Sequence, residues 1–208
     1  MVITYFGEQF IKITQGDLTL AINPVSKAAK GGAIARFGAQ VALLSTHHAS
    51  MNGIAEVTYG DNVPYIVDGP GEYEVGGMSI VGVGTPTKID GKDFINTSYY
   101  FKLDDIGVCV LGAIESEKAI ETIREKSGDI DILFVPLGEY LAPALASKIA
   151  VSLEPSIIIP VSHTGKGDKA LAQFLKENES HEEVDKLTIK KKDCQARDGD
   201  VVLITPSK

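Results

Sequence analysis

The segment VALLSTHHASMNG (residues 41–53) joins a short apolar run to a polar loop that carries two adjacent histidines, His47 and His48. The chain has only four histidines, so two in one loop are conspicuous. Leu43 and Leu44 are typical of the end of a buried strand. Catalytic groups in α/β folds usually follow the ends of strands. The segment therefore predicts a functional site, either a metal site or the remnant of one.

The chain on either side of this segment predicts an α/β fold. The first half is rich in Val, Ile and Tyr with partial alternation and frequent glycine, and residues 15–17 indicate a hairpin turn. In the second half, apolar strands at 131–138 and 156–163 alternate with helical patterns at 116–128, 142–155 and 168–180. Two packed sheets with helices outside would satisfy this order. We also expect a short helix over 28–37 and a closing hairpin within 186–206.

Composition limits the classes of partner. The net charge of −8, from 28 acidic and 20 basic residues, argues against a nucleic-acid binder. Lys190, Lys191 and Lys192 are interpreted as the solvated edge of a strand. No run approaches the ~18 apolar residues of a membrane span, and the N-terminus lacks a basic signal sequence. Cys109 lies in an apolar strand and is expected to be buried, so we predict a cytoplasmic protein.

Several further stretches stand in a recognisable order along the chain. They are TYFGEQF (4–10), LAINP (20–24), the opening segment (41–53), GPGEYEVGGMSIVGVGT (69–85), DIDILFVPLGE (129–139), EPSIIIPVSH (154–163) and GDVVLITP (199–206). Together they resemble the metallo-β-lactamase superfamily, specifically its compact group of metal-dependent hydrolases. The resemblance spans nearly the whole chain. It implies a four-layer αβ/βα sandwich, which we expect to form a single domain over residues 1–208.

In that family, the histidine-rich loop His-x-His-x-Asp-His binds one or two metal ions, usually zinc, which activate a water molecule. Aligned without gaps, the four ligand positions of this chain are Thr46, His48, Ser50 and Met51. Shifted by one residue, they are His47, Ala49, Met51 and Asn52. Either register keeps one histidine and no aspartate.

The other ligand positions implied by the resemblance are also altered. The histidine of an early Gly-His-Ser motif is replaced by Glu8, and the aspartate before a proline is Asn23. A mid-chain His and Asp pair corresponds to Val110 and Ala113, whereas His163 matches the last ligand within one residue. A zinc site normally needs at least three protein ligands. We therefore expect no cofactor, with zinc or another divalent metal held through His48 and His163 as the alternative.

Three other groups allow two interpretations each. Glu72 allows a functional interpretation, as an acid or metal ligand in the cleft. It also allows a structural one, in which Glu72 and Glu74 share one face of a strand, and the alternation of the sequence favours the strand. His47 and His48 either complete a residual metal site with His163 or are polar residues of a strand-end loop. A Ser–His pair of Ser50 or Ser45 with His48 lacks the G-x-S-x-G elbow of serine hydrolases.

The sequence leads to one main hypothesis and two competitors. The main hypothesis is a non-catalytic member, a pseudoenzyme, that binds a small molecule or a protein partner through the ancestral cleft. The first competitor is a metal-dependent hydrolase with a reduced or rearranged single-metal site, and the second is a structural role in an assembly such as a homo-oligomer. The candidate residues of the ancestral cleft are Glu8, Asn23, Thr46, His47, His48, Ser50, Met51, Glu72 and His163.

Overall fold

Two β-sheets pack face to face in the structure, which is a computed structural model. It describes residues 1–29, 35–163, 167–178 and 181–207. The strands are β1 (Val2–Tyr5), β2 (Ile11–Gln15), β3 (Leu18–Ile22), β4 (Val41–Leu43), β5 (Tyr65–Val67), β6 (Gly71–Val75), β7 (Met78–Ile89), β8 (Lys92–Leu103), β9 (Ile106–Val110), β10 (Ile132–Pro136), β11 (Ile157–Val161), β12 (His181–Val184), β13 (Leu187–Thr188) and β14 (Asp200–Ile204). The helices are α1 (Ile120–Lys126), α2 (Pro143–Leu153), α3 (Lys169–Glu177) and α4 (Lys191–Cys194), with 3₁₀ turns at Ile54–Glu56 and Glu117–Ala119.

Both sheets mix parallel and antiparallel pairs. One sheet has the strand order β13-β1-β2-β3-β4-β5, and the other has the order β12-β14-β11-β10-β9-β8-β7-β6. In the first sheet β3, β4 and β5 are parallel, and in the second β9, β10, β11 and β14 are parallel. The carboxyl ends of parallel strands meet at one edge of their sheet, so the loops after β4, β9, β10 and β11 are brought together.

The core between the sheets follows from alternation along the strands. In β2, Ile11 and Ile13 are fully buried while Lys12 between them is partly exposed. From the other sheet, Phe101 and Phe134 fill the same layer. Each side chain of this size contributes about 1.5–3 kcal/mol when it is fully buried. The interface between the sheets is thus the principal apolar contact of the fold.

Helices cover the outer face of the eight-stranded sheet. Ala146 and Ile149 of α2 and Phe174 of α3 pack with Leu133 and Ile158 of the central strands. Asp168 caps α3, because its carboxylate accepts from two backbone N–H groups of the first turn. Strands β10 and β11 are buried along their whole length, which explains why their sequences are uniformly apolar.

The outer face of the six-stranded sheet carries an aromatic cluster. Phe6, Phe10 and Phe37 contact one another with ring centroids 5.1–5.7 Å apart, and Val57 packs with them. In the described residues this face is covered by connecting segments and by the 3₁₀ turn Ile54–Glu56, whereas α1, α2 and α3 lie over the other sheet. The predicted α/β sandwich is confirmed.

Most of the predicted elements are present, and two predictions are wrong. The hairpin turn at residues 15–17, the buried strands of the second half and its three helices are confirmed. The closing hairpin is wrong, because β13 pairs with β1 in one sheet and β14 lies parallel to β11 in the other, with α4 between them. The lysines are not a strand edge: Lys191 lies in α4 and donates to the buried carboxylate of Asp131 at 2.8 Å. Of the helix predicted over 28–37, residues 30–34 lie outside the described residues.

Among the described residues, no helix has both the length and the apolar character that crossing a bilayer would require.

Gly112 occupies a tight position after β9 at which we expect substitution to be costly. Its φ is +67°, and an added Cβ would clash with Asn96 Oδ1 and lie 2.6 Å from Ser45 Oγ. Gly91 has a similar φ of +73°, but no atom lies within 4 Å of its added Cβ. Gly91→Ala should lower the free energy of unfolding by about 1–2 kcal/mol through backbone strain alone. Gly112→Ala should cost about 1–3 kcal/mol more, because overpacking is added to that strain. Urea unfolding measures both, and equal losses would show that the close packing around Gly112 is not rigid.

Candidate functional site

An open cleft lies where the loops after β4, β10 and β11 meet the loop after β1 and the turn between β7 and β8. Its volume is about 610 Å³. Carboxylates, small residues and one histidine line it: Glu8, Val25, Ala28, Ala29, His48, Ala49, Ser50, Ile89, Asp90, Gly138, Glu139, Ser162 and Asp168. Of the nine residues predicted for the ancestral cleft, three line it, namely Glu8, His48 and Ser50.

Local hydrogen bonds position the histidine loop. The hydroxyl of Thr46, which is buried, accepts from the backbone N–H of His48 at 2.9 Å. The backbone N–H of Met51 donates to the carbonyl of His48 at 2.9 Å. These bonds close a turn just after β4 and direct the imidazole of His48 into the cleft. Thr46 stands at one of the positions that the resemblance assigns to a metal ligand, and its hydroxyl accepts a backbone hydrogen bond there.

His48 contacts two polar side chains of the cleft. Its Nδ1 lies 2.8 Å from Ser50 Oγ and 3.3 Å from the backbone nitrogen of Ser50. Its Nε2 lies 3.4 Å from Asp90 Oδ2, in the turn between β7 and β8. The ring edge also contacts Phe94, with centroids 5.5 Å apart. Both ring nitrogens therefore have neighbours within the protein.

His47 is directed away from the cleft. Its Nε2 lies 3.2 Å from the carbonyl oxygen of Asp68 and 3.6 Å from the carboxylate of that residue. The His47 side chain is 62% exposed and borders a different surface depression. The structure therefore separates the two adjacent histidines, which sequence reasoning had placed in one site.

An apolar cluster fills two positions that the resemblance assigns to metal ligands. Met51 and Ala113 are fully buried and pack with Ile89, Tyr140 and Phe94. A thioether and a methyl group offer no hard donor to zinc or manganese in this place. This cluster borders the cleft directly, because Ile89 also lines it.

Asn23 forms part of a buried polar network. Its Oδ1 accepts from the backbone N–H of Ser45 at 2.7 Å, and its amide nitrogen lies 3.5 Å from Gln9 Oε1. Gln9 in turn donates to the carbonyl of Gly112 at 3.1 Å. Asn23 has a φ of +48°, a conformation that asparagine tolerates better than most residues. The amide at the position where the resemblance expects an aspartate thus holds the floor of the cleft together.

Two carboxylates of the cleft influence each other. Burial raises the pKa of the Glu8 carboxyl, and the charge of Glu139 raises it further. Glu8 has a φ of +51°, and its backbone is held by bonds from the Ser162 N–H to its carbonyl at 2.6 Å and from the Tyr5 hydroxyl at 2.8 Å. Positive φ at Glu8, Asn23, Asp90 and Ser162 concentrates backbone strain around this cleft, as is common at functional sites.

His163 is buried beside the cleft. Only 5% of it is exposed, and its ring lies 5.3 Å from that of Tyr5 between centroids. Burial lowers the pKa of its imidazole, although the charge of Asp168 acts in the opposite direction. Glu72 does not line the cleft. It is exposed on β6 and paired with Val81, as the strand interpretation predicts.

The donor set does not fit the family's metal centre. Within the described ranges, no group of three or more His, Cys, Asp or Glu side chains is arranged to hold a metal ion. The positions that the resemblance assigns to ligands hold instead a backbone hydrogen bond to Thr46, apolar packing by Met51 and Ala113, and a structural amide, Asn23.

Sequence reasoning missed four side chains of this region: Asp90, Glu139, Tyr140 and Asp168. Glu139 directly follows β10, so the rule that polar groups after strands converge could have found it. Asp90-Gly91 is recognisable as a hairpin turn, but its approach to His48 depends on the length of β7 and β8, which the sequence pattern did not define.

Comparison with known proteins places the chain in the β-lactamase superfamily. A family model described as "Beta-lactamase superfamily domain" matches residues 2–162. A candidate zinc-dependent hydrolase of the metallo-β-lactamase superfamily from Thermotoga maritima is 27% identical, with a TM-score of 0.76 over 98% of this chain and 97% of that one.

Two more distant structures share the fold alone. A candidate metal-dependent hydrolase from Parabacteroides distasonis is 16% identical with a TM-score of 0.66, covering 99% of this chain and 93% of its own. A metallo hydrolase from the archaeon Ignicoccus hospitalis is 15% identical with a TM-score of 0.65, covering 100% and 96%. No curated protein sequence matches significantly.

The burial of His163 predicts a pH dependence of stability. Because its pKa is lower in the folded state than the value of about 6.5 in an unfolded chain, the unfolded state binds the proton more readily. The contribution of neutral His163 is fully present above about pH 6.5 and is lost as the pH falls below it. Urea unfolding at pH 7.5 and 5.5 should show a smaller loss for His163→Gln than for the natural protein. His47→Gln, which changes an exposed histidine, is the control and should keep the natural loss.

Proposed function

The chain belongs to the β-lactamase superfamily, and we propose that it is a member whose cleft binds a small organic ligand without the family's dinuclear metal chemistry. With respect to that chemistry it is a pseudoenzyme. The observation that carries the proposal is the apolar cluster of Met51, Ala113, Ile89 and Tyr140, because Met51 and Ala113 stand where the resemblance expects metal ligands.

The geometry of the histidines supports the same proposal. A metal bound by His48 would have to displace Ser50 or Asp90 from the ring nitrogens, and His47 could not join it without leaving Asp68. Asn23 Oδ1 accepts from the backbone N–H of Ser45. An amide at this position therefore holds the loop through a hydrogen bond, and the loop needs no metal-bound aspartate to fold. The cleft nevertheless remains open, and its volume of about 610 Å³ suits a small molecule.

A hydrolase with a single metal is the second candidate, because the structural neighbours are named as metal-dependent hydrolases. His48 in the cleft and His163 beside it are the histidines this candidate would use. Two histidines fall short of the three protein ligands of catalytic zinc sites, so a carboxylate such as Glu8 or Asp168 would have to join them.

Metal content decides between the two candidates. We expect protein purified without chelator to contain far less than one equivalent of zinc, manganese or iron by plasma mass spectrometry. Added zinc should leave the free energy of unfolding unchanged, whereas a specific site would raise it by about 2.7 kcal/mol at a hundredfold excess over its Kd.

Two variants sharpen this test. Stoichiometric metal that is lost in His48→Ala and kept in His47→Ala would overturn the proposal, because only His48 faces the cleft. Phosphodiester or ester turnover that requires added zinc or manganese would overturn it as well.

The state of the two cysteines supports a cytoplasmic location, which we propose for this chain. Cys109 and Cys194 are both free and buried, and burial raises the pKa of the Cys109 thiol to about 12. Unpaired, unreactive thiols of this kind are typical of proteins in the reducing cytoplasm. Protein partners and a homo-oligomeric state remain predictions from the sequence.

A further inference from the structure

Ser50, His48 and Asp90 form a continuous chain of contacts along one wall of the cleft, and this chain goes beyond ligand binding. We propose that it is a metal-independent acyl-transfer site, with Ser50 as the nucleophile, His48 as the general base and Asp90 as the group that orients the imidazole. The substrate class is a small activated ester. All three side chains line the cleft, so a bound molecule could reach Ser50.

The first step of the argument concerns the tautomer of His48. The backbone N–H of Ser50 is a donor at every pH, and it lies 3.3 Å from Nδ1 of the ring. Nδ1 must then be the accepting nitrogen, so the proton of the neutral ring is on Nε2. Nε2 lies 3.4 Å from Asp90 Oδ2, so the Nε2–H of the neutral ring faces a carboxylate that pairs with the ring once His48 takes up a second proton.

The second step concerns the hydroxyl group. With its lone pair on Nδ1, the ring faces Ser50 Oγ at 2.8 Å, which is a hydrogen-bond distance. The hydroxyl therefore donates to a nitrogen able to take its proton. Serine, base and carboxylate in this order activate a serine nucleophile in unrelated folds, where Nε2 faces the serine and Nδ1 the carboxylate. In this chain the two ring nitrogens exchange those roles, because Nδ1 faces Ser50 and Nε2 faces Asp90.

The third step concerns how firmly the imidazole is held. The backbone N–H of His48 is bound to Thr46, and its ring edge contacts Phe94. Only 22% of the His48 side chain is exposed, whereas the Asp90 carboxylate is 83% exposed. Solvent weakens an exposed ion pair, so Asp90 contributes less than a buried aspartate would. The site should therefore be slow compared with specialised serine hydrolases.

Tyr140 supplies a donor beside the nucleophile. The residue is 8% exposed, and its phenol interacts with the side chains of Ser50 and Glu139. Burial and the charge of Glu139 raise the pKa of this phenol, so it stays protonated near neutral pH. In the proposed site, this protonated phenol is the donor that stabilises the oxyanion of the tetrahedral intermediate.

The reaction balances without an added oxidant or metal. Ser50 Oγ forms a bond to the carbonyl carbon while His48 Nδ1 takes the hydroxyl proton. The ester C–O bond then breaks, and the leaving alkoxide receives that proton as an alcohol. Water attacks the acyl-Ser50 ester, His48 takes a proton from the water, and Ser50 Oγ leaves and is protonated again. The sum is ester plus water giving acid plus alcohol.

The test is acetylation by p-nitrophenyl acetate in the presence of EDTA, with the modified residue identified by peptide mass spectrometry. We expect an acetyl group on Ser50 and an initial release of p-nitrophenol. Ser50→Ala should abolish both. His48→Gln should slow acetylation by about 100-fold or more, since general-base catalysis contributes factors of about 10²–10⁴. Ser79→Ala, which removes an exposed hydroxyl on β7, is the matched control and should react at the natural rate.

Two outcomes would overturn the proposal. One is labelling of Ser50 no faster than that of Ser79, and the other is labelling that His48→Gln leaves unchanged while urea unfolding shows the variant is folded. Binding of acetanilide, the unreactive amide analogue of phenyl acetate, is followed separately through the amide resonances of Ala49 and Gly138. Acetanilide binding without acetylation would refute the nucleophile alone, whereas the metal measurements above test the proposed function independently.

Discussion

The cleft depends on a few buried polar contacts that cross between the two sheets. The carbonyl of Ser45, just after β4, accepts from the backbone N–H of Thr97 in β8 at 2.7 Å. The Gln9 amide donates to the carbonyl of Gly112 after β9. Within the six-stranded sheet, Asn23 Oδ1 accepts from the Ser45 N–H and fixes the loop that makes the crossing contact. A buried donor or acceptor that loses its partner costs about 1–3 kcal/mol, so these bonds specify how the sheet ends meet. Every group of the cleft is positioned relative to that junction.

The sequence was sufficient for the parts of the fold that depend on local pattern. Strands β10 and β11 were recognisable because both of their faces are buried, and α2 because it ends before Pro155. The end of the chain was mispredicted because two strands close in sequence join different sheets, and a pairing across sheets leaves no local signal. Alternation shows which residues face inward, but it does not show which strand is the neighbour.

For the candidate site, the sequence was sufficient to locate the histidine loop, but it did not predict the directions in which the two histidine side chains point. It identified the histidine pair and the substitutions at Thr46 and Met51, yet it could not show that His47 and His48 diverge. That divergence follows from the bond between Thr46 and the His48 backbone, together with the contact of His47 with Asp68, a residue that is distant in sequence. A bound metal contributes to the free energy of folding. Met51 stands at a position where the resemblance expects a ligand, and its buried side chain contributes about 1.5–3 kcal/mol in place of a metal.

The hairpin of β7 and β8 gives the cleft a wall that can change independently of the core. Asp90 lies in the turn that joins two strands of 12 residues each. Lengthening both strands by one residue would advance the turn by about 3.4 Å, whereas a one-residue shift of register would reverse the facing of every side chain. Relatives that differ in the length of this arm would therefore set a different carboxylate, or none, against the same imidazole. The carboxylate that faces His48 can thus change through the length of one hairpin, with the two sheets left intact.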